Sequence, residues 1–584
     1  MIIFRKMKEE NIMKKNYKKV VAGTLGLIMS VGLFGCGEVR DYTDNGKSEE
    51  HTTSNSGNDV DVQTEAVADG GCVEECVDVA FDCAQTECTV GYYEEDEIIY
   101  PEEFDTNEYN DLAENSWMSV SVSPFSTFAA DVDTASYAQI RSNIMGGYEV
   151  DPSMVRIEEM INYFHYDYET PKDGEKFAVH TEYTDCPWNE DTQLALVSLN
   201  TEAIDFSEAP DSNIVFLIDT SGSMYDANKL PLVQQSLAML VENLDENDRV
   251  SIVTYAGSET IVLEGETGDN YYEIVSAIES LEASGSTHAS AGIETAYELA
   301  EKYFIKGGNN RVILATDGDF NVGITGEGEL EKYISQKKDS GVYLSVLGFG
   351  YGNYKDDKLE TLADKGNGNY AYIDTIYEAK KALVDDMGAT LVAVAKDVKL
   401  QVEFNPNLVK GYRLIGYENR VMAAEDFADD TKDGGEMGAG HSVTAIYEIV
   451  PVDSDMEVPE VESKYGTEEE SIYESGEYCD ELFTLNVRYK EIDEDESKLS
   501  SYVCHVDDYS EAGSDNLRWA AAVAAFGMIL KDSEYKGDAN GELVYMLADS
   551  VDDVNEDDYK KEFILLLETY FDYCNEYDDN DYYE

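Results

Sequence analysis

Basic residues are scarce in this sequence, and their scarcity limits the partners that the chain can have. Its 584 residues include 41 Lys and Arg against 123 Asp and Glu, which gives a formal net charge of −82 at pH 7. A surface with so strong a negative charge repels nucleic acid phosphates and anionic lipid headgroups. We therefore expect no nucleic acid partner, and a partner that is cationic or is bridged by a metal ion.

The sequence also lacks the short motifs of common hydrolases and nucleotide-binding enzymes. It contains no G-x-S-x-G elbow, no H-E-x-x-H motif and no P-loop. Its six histidines are scattered, and only His288 is near the candidate site described below. Because 43% of the residues are hydrophobic, the chain can bury full cores, and its length predicts two or three domains. We expect a folded protein that is not an enzyme.

No hydrophobic run at the N-terminus is long enough for a comfortable membrane span. The apolar stretch from Val20 to Phe34 follows four lysines and ends in Leu-Phe-Gly-Cys, with the cysteine at position 36. This order indicates an export signal over residues 1–36, with an uncleaved anchor helix as the alternative. The ending resembles the lipobox of bacterial lipoproteins. That resemblance implies that Cys36 carries a lipid and anchors the chain to the cell membrane, on its extracytoplasmic side.

Residues 37–118 are polar and strongly acidic, and they show little hydrophobic periodicity. This composition predicts a disordered linker between the anchor and the folded part. The linker contains four cysteines that could form two disulfide bridges, stay free or bind zinc, and the lack of a nearby histidine and the oxidising compartment favour bridges or free thiols. These cysteines are Cys72, Cys76, Cys83 and Cys88.

The stretch at 213–224, NIVFLIDTSGSM, is the most informative part of the chain. Its apolar run IVFLI predicts a strand buried on both faces of a parallel sheet. Asp219, Ser221 and Ser223 follow at alternate positions in a small polar loop, so their oxygens can turn to one point. Ligands of open α/β sheets bind at such strand ends, and oxygen ligands with few charges suit Mg²⁺ before Ca²⁺.

Two later segments add ligands to this loop. The sequence SGST at 284–287 precedes a predicted helix and offers the hydroxyl of Thr287. A second buried strand, RVILAT, is followed by Asp317. Two carboxylates and three hydroxyls cannot saturate an octahedral cation, so coordination positions remain for water or for a ligand oxygen.

Together these pieces resemble the metal-ion-dependent adhesion site of von Willebrand factor A domains. The resemblance implies that Ser221, Ser223 and Thr287 ligate Mg²⁺, or else Mn²⁺ or Ca²⁺, while Asp219 and Asp317 act largely through bound water. A Glu or Asp carboxylate of a protein partner would fill the open position. With few direct carboxylates the ion keeps a net positive charge and attracts such an anionic ligand.

Strands and helices alternate around this site, which predicts a doubly wound, Rossmann-like α/β fold with a flanking β-sandwich and a helical C-terminal segment. Within it we expect a cap at Asp133 or Thr134, a helix from Pro152 to Tyr166 and a last central helix from Tyr377 to Leu391. The predicted regions after the linker are an N-terminal region of helices and sandwich strands (119–208), the A domain (209–395), further sandwich strands (396–510) and the helical region with its acidic tail (511–584).

Segments in and around the A domain resemble bacterial surface lipoproteins of the YfbK type over about residues 120–550. That family places an A domain between its own N-terminal segment and a C-terminal domain. The matching segments are STFAADVDTASY, RIEEMINYF, KGNGNYAYIDT, VEFNPNLVKGYRLIGYENR and RWAAAVAAFGMIL.

The sequence thus predicts a surface-anchored, metal-dependent module for adhesion or protein interaction. The alternative is an assembly or scaffold factor of the cell envelope. A metal-dependent hydrolase is less favoured. The loop resembles the start of a haloacid dehalogenase phosphatase, but that chemistry needs a second Asp two residues after the first, and position 221 is a serine.

Overall fold

The structure, a computed structural model, describes residues 112–578 with short gaps. The predicted signal peptide with Cys36, the linker up to residue 111 and its four cysteines lie outside the described residues, as do Thr287 and His288. The gaps are 131–132, 173, 205–208, 286–289, 319–326, 351–355, 387, 390–391, 433, 460–477, 493 and 495.

The segment before the central domain contributes four strands and two α-helices. They are β1 (Met118–Ser119), β2 (Phe125–Ala129), α1 (Ala135–Gly146), α2 (Ile157–Asn162), β3 (Ala178–Asp185) and β4 (Gln193–Asn200). Contacts with the sandwich already begin in the stretch assigned to the linker, since Asn115 donates a hydrogen bond to the carbonyl of Gly416 at 2.7 Å.

The predicted helix from Pro152 to Tyr166 is wrong in extent. A 3₁₀ turn over Pro152–Met154 comes first, and Val155 and Arg156 are extended before α2 begins. The Ser136 hydroxyl of α1 donates to the Met154 carbonyl at 2.7 Å and accepts the Arg156 N–H at 2.9 Å. These long-range hydrogen bonds take backbone groups that a continuous helix would use.

Asp133 is not the helix cap; the alternative, Thr134, occupies the N-cap position of α1 but makes no side-chain capping bond. Instead Asp133 Oδ1 accepts the backbone N–H of Tyr370 at 3.0 Å, and its Oδ2 lies 3.2 Å from Arg420 Nη2. Asp133 therefore ties the last strand of the central domain to a distant arginine.

The central domain is a six-stranded sheet in the order β10-β9-β8-β5-β6-β7, in which β7 alone is antiparallel to its neighbour. This arrangement confirms the doubly wound α/β prediction. Its elements are β5 (Ser212–Asp219), α3 (Leu230–Val241), β6 (Arg249–Tyr255), β7 (Glu259–Thr267), α4 (Tyr271–Glu279), α5 (Ser290–Lys302), β8 (Asn309–Thr316), α6 (Glu327–Lys338), β9 (Tyr343–Phe349), α7 (Asp356–Lys365), β10 (Tyr370–Ile373) and α8 (Ile376–Lys380).

Strand β5 lies at the centre of this sheet and is buried along its whole length. Val215 and Leu217 pack into the hydrophobic core on one face, and Phe216 and Ile218 pack into the core on the other. Burial of large apolar side chains on both sides fixes the strand, because each contributes roughly 1.5–3 kcal/mol. The loop that follows β5 is thus attached to a strand that is packed on both faces.

Two helices of the central domain differ from the prediction. Helix α6 was missed because it is mostly polar and buries only Leu330 and Ile334 fully, one turn apart. The predicted helix from Tyr377 to Leu391 is confirmed in its first part, where α8 continues as a π-helical turn over Lys381–Asp385, while residues 387, 390 and 391 lie outside the described residues. Lys381 pairs there with Asp386, and the chain soon enters the first strand after the domain.

Seven strands follow the central domain: β11 (Ala393–Phe404), β12 (Val409–Ile415), β13 (Val421–Met422), β14 (Met437–Gly438), β15 (Ser442–Pro451), β16 (Glu481–Lys490) and β17 (Lys498–His505). They form two antiparallel sheets with earlier strands, in the orders β1-β12-β15-β4-β3 and β13-β2-β11-β16-β17. Because β4 pairs with β15, strands from before and after the central domain share one sandwich, as the sequence predicted.

Three helices complete the fold: α9 (Asp515–Leu530), α10 (Gly541–Asp549) and α11 (Asp558–Asp578). Helix α9 is buried on nearly all sides, as its apolar sequence predicted. Its Trp519 packs with Phe563 of α11 and with residues of α1 and α2 in one hydrophobic core. Within the described part of the chain, no helix is both long and apolar enough to span a bilayer.

Candidate metal site

Three of the five predicted site residues lie in the loop that leaves β5. Asp219 is the last residue of the strand, and a 3₁₀ turn over Gly222–Tyr225 follows it. Asp219 Oδ1 accepts the backbone N–H of Ser221 at 2.8 Å, and the hydroxyl oxygens of Ser221 and Ser223 are 2.9 Å apart. This tight turn brings one carboxylate and two hydroxyls together, as the spacing predicted.

Asp317 comes from the neighbouring strand. Strands β5 and β8 are parallel and pair Ile218 with Ala315, so both chains leave the sheet at the same edge. Asp219 is fully buried, and Asp317 is 6% exposed. The sheet therefore places the two predicted carboxylates side by side under the loop.

In each carboxylate one oxygen accepts a hydrogen bond, and the other accepts none from the described residues. Asp219 Oδ1 is held by Ser221, and Asp317 Oδ2 accepts a hydrogen bond from Lys229 Nζ at 3.0 Å. Asp219 Oδ2 and Asp317 Oδ1 are buried and have no hydrogen-bond partner among the residues that the structure describes. A buried carboxylate oxygen without a partner is costly, so this arrangement fits a bound cation or its water ligands.

Electrostatics also fit a cation at this point. Burial raises the pKa of Asp219 to about 6, and the negative charge of Asp317 adds to the rise, while hydrogen bonds from Ser221 and the hydroxyl of Tyr255 oppose it. A divalent cation would relieve this repulsion, and the carboxylate and hydroxyl oxygens are the ligands that Mg²⁺ prefers.

Thr287, the fifth predicted ligand, lies outside the described residues, so its role stays a prediction. The residues just before it are held against the loop: the Ser284 N–H donates to the Thr220 carbonyl at 2.7 Å, and the Gly222 N–H donates to the Gly285 carbonyl at 3.1 Å. No group of three or more His, Cys, Asp or Glu side chains suited to a metal occurs among the described residues. A metal site in that part of the chain would need oxygen ligands besides carboxylates, and the hydroxyls of Ser221 and Ser223 are of that kind.

Lys229 is the site residue that sequence reasoning missed. It directly precedes α3, and its side chain is only 13% exposed beside Asp317. Nothing in the local sequence pairs a lysine at position 229 with an aspartate 88 residues later. The only signal in the sequence was the scarcity of basic residues, which makes each lysine near a candidate site worth examining.

The fold and these residues define the class of the central domain. Residues 213–386 match the family model of the von Willebrand factor type A domain, and residues 103–196 match the model described as von Willebrand factor. Domains of this type generally mediate protein–protein interactions and commonly bind a metal at the site formed by these loops. Residues 389–572 match the model described as "Uncharacterized protein YfbK, C-terminal".

The whole chain can be placed as well. It is 40% identical over 471 residues to "Uncharacterized protein YfbK" of Escherichia coli strain K12, which covers 79% of this chain and 81% of that protein. The chain belongs to the YfbK family. It is also 30% identical over 186 residues to "Uncharacterized protein sll0103" of Synechocystis, which covers 31% of this chain and 42% of that protein.

Among solved structures, the chain is similar to a von Willebrand factor type A protein from Catenulispora acidiphila. The sequence identity is 15% and the TM-score is 0.37, with 66% of this chain and 88% of the other covered.

Proposed function

We propose that this protein is a surface-anchored module that binds a partner protein through a divalent cation. Asp219, Ser221, Ser223, Thr287 and Asp317 would hold Mg²⁺, or Mn²⁺ or Ca²⁺ in its place. A Glu or Asp carboxylate of the partner would take a coordination position that the chain leaves open. Lipid attachment at Cys36 would keep the protein on the extracytoplasmic side of the cell membrane.

The observation that carries this proposal is the pair of unsatisfied carboxylate oxygens at one sheet edge. Asp219 Oδ2 and Asp317 Oδ1 are buried and lack a hydrogen-bond partner within the described residues, while their companion oxygens are fixed. Two carboxylates balance the charge of a divalent cation but do not exceed it, so an open coordination position of the ion can still accept an anionic oxygen. A binding role is favoured over phosphatase chemistry because position 221 is a serine, where that chemistry needs a second aspartate.

Metal uptake tests the proposal directly. Replacing Asp219→Asn should weaken Mn²⁺ binding by about 10- to 100-fold, because it removes one of two charges that hold the ion. Free Mn²⁺ is measured by electron paramagnetic resonance during titration of the full chain. The exposed Asp226 of the same loop provides the control, since Asp226→Ala should leave the affinity unchanged. Equal uptake by wild type and Asp219→Asn would refute the proposed site.

Co-purification tests the partner. Tagged full-length protein is recovered from envelope extracts with Mg²⁺ or with EDTA, alongside the Asp219→Asn variant. Proteins recovered only by the wild type with Mg²⁺ support metal-dependent binding, and identical recovery with EDTA contradicts it.

The anchor is tested separately. Cys36→Ser should abolish incorporation of radiolabelled palmitate into the protein, because it removes the proposed lipidated thiol. The measurement is autoradiography of the immunoprecipitated protein, with Cys479→Ser as a matched control because Cys479 is exposed and pairs with no other cysteine in the described part of the chain. Palmitate incorporation by the Cys36→Ser variant equal to that of wild type would rule out lipidation at this residue.

A further inference from the structure

Lys229 contributes a positive charge to the candidate metal site without occupying the position of a ligand oxygen. Its Nζ contacts Asp317 Oδ2 at 3.0 Å, and the two side chains are 13% and 4% exposed. The contact leaves Asp317 Oδ1 free. Because solvent screening is weak at such burial, the ammonium charge acts on anything bound between the carboxylates.

The fold makes room for this lysine. Its side chain runs past Gly350, which follows β9 and has a φ of 81°. A Cβ atom on Gly350 would lie 2.3 Å from Lys229 Cε and 2.7 Å from its Cγ. The Gly350 carbonyl also accepts a hydrogen bond from Tyr372 at 2.7 Å, which holds this backbone in place. Gly350 thus leaves the space through which Lys229 reaches Asp317 in this arrangement.

Counting the charges shows what the lysine changes. Asp219 and Asp317 together carry −2, which a divalent cation of +2 reduces to 0. With Lys229 included, the loaded site carries +1. A neutral site would exert little pull on an incoming carboxylate in a protein whose net charge is −82, whereas a site of +1 attracts it.

We propose that Lys229 sets the charge of the metal-loaded site, so that it weakens metal binding and strengthens binding of a carboxylate ligand. This inference rests on the proposed function. It assigns a specificity-determining role to a residue that does not ligate the metal. The same charge that repels the cation also attracts the anion, so the two affinities must respond to Lys229 in opposite directions.

The first measurement is the Mn²⁺ affinity of full-length variants by electron paramagnetic resonance. Lys229→Met should bind Mn²⁺ about tenfold more tightly than wild type, because a nearby positive charge is gone. Lys229→Arg keeps the charge and should stay near wild type. Lys306→Met provides the charge-matched control, because Lys306 is exposed and precedes β8 at the opposite edge of the sheet.

The second measurement uses acetate as the carboxylate probe on protein saturated with Mn²⁺. Paramagnetic relaxation of the acetate methyl protons reports its binding near the ion. Lys229→Met should bind acetate about tenfold more weakly than wild type, while Lys229→Arg and Lys306→Met should not.

The outcomes separate this inference from the proposed function. Tighter Mn²⁺ binding together with weaker acetate binding supports a charge-setting role. Weaker Mn²⁺ binding by Lys229→Met would mean that the lysine only positions Asp317. Unchanged affinities for Mn²⁺ and acetate would mean that the lysine's charge does not act on either ligand. Either result overturns the inference but does not contradict the proposed metal site. A wild-type protein that takes up no Mn²⁺ overturns both.

Discussion

Replacing Arg141 by alanine should lower the free energy of unfolding by about 3–5 kcal/mol, the cost of leaving buried charges without their partner. The Arg141 side chain is 3% exposed and contacts three carboxylates. Its Nε donates to Asp374 at 2.9 Å, its Nη2 donates to Glu378 at 2.8 Å, and its Nη1 donates to Glu562 at 2.8 Å. The loss is measured by urea unfolding, followed by circular dichroism.

The position of Arg141 explains why the effect should be large. Arg141 belongs to α1, Asp374 and Glu378 to the end of the central domain, and Glu562 to α11. The hydroxyl of Tyr163 closes the network, since it accepts from Arg141 at 2.8 Å and donates to Glu378 at 2.8 Å. One guanidinium therefore joins three parts of the fold, and it restrains the last helix of the central domain.

Burial raises the pKa of Glu378, and the positive charge of Arg141 opposes this rise. Without the arginine, the folded pKa should rise further above the unfolded value. A buried acid of this kind binds more protons folded than unfolded, so stability falls as the pH rises above the unfolded pKa. The loss of unfolding free energy caused by Arg141→Ala should consequently be smaller in mildly acidic buffer than at pH 8.

Lys561 offers a control on the same helix as Glu562. It pairs with Asp558 at 2.8 Å, but the two side chains are 46% and 93% exposed. An exposed pair contributes little, so Lys561→Ala should change the stability by no more than about 1 kcal/mol. If Arg141→Ala proves as mild as this control, the buried network does not stabilise the fold.

Truncating Phe563 to alanine should cost about 3–5 kcal/mol, because it leaves a cavity in the helical core. The ring is fully buried on α11. Its centroid lies 5.3 Å from that of Trp519, 5.5 Å from that of Phe164 and 5.7 Å from that of Phe526. Aromatic contacts of this geometry add to the area that is buried.

Tryptophan fluorescence in urea follows this loss, because Trp188 and Trp519 both belong to the affected core. Leu565, on the same helix, is 53% exposed and gives a matched control. We expect Leu565→Ala to cost less than about 1 kcal/mol. Equal midpoints for the two variants would show that the core tolerates the cavity.

The positions of Asp219, Ser221, Ser223 and Asp317 in the fold were largely predictable, because these residues follow two strands with strong local patterns. The IVFLI run identified β5, and the RVILAT run identified β8. Two neighbouring parallel strands, one ending in an aspartate and the other followed by one, present both carboxylates at one edge of the sheet. Burial of β5 on both faces was equally readable, since every residue of the run is apolar.

Features that depend on distant residues were not predictable in this way. Helix α6 has too few apolar residues for its period to stand out, and no local pattern indicated the π-helical turn over Lys381–Asp385. Asp133 has the sequence position of a helix cap, but Tyr370 and Arg420 reach its carboxylate from elsewhere in the fold.

The sequence by itself determined the class of domain and the predicted oxygen ligands, because hydrophobic periodicity and loop spacing act between neighbours in the chain. Only the tertiary structure decided which charges surround those ligands. Lys229 meets Asp317, and Arg141 meets Asp374, Glu378 and Glu562, across 88 or more residues of chain. Such pairs are set by how sheets and helices pack in space, and no local pattern encodes the resulting distances.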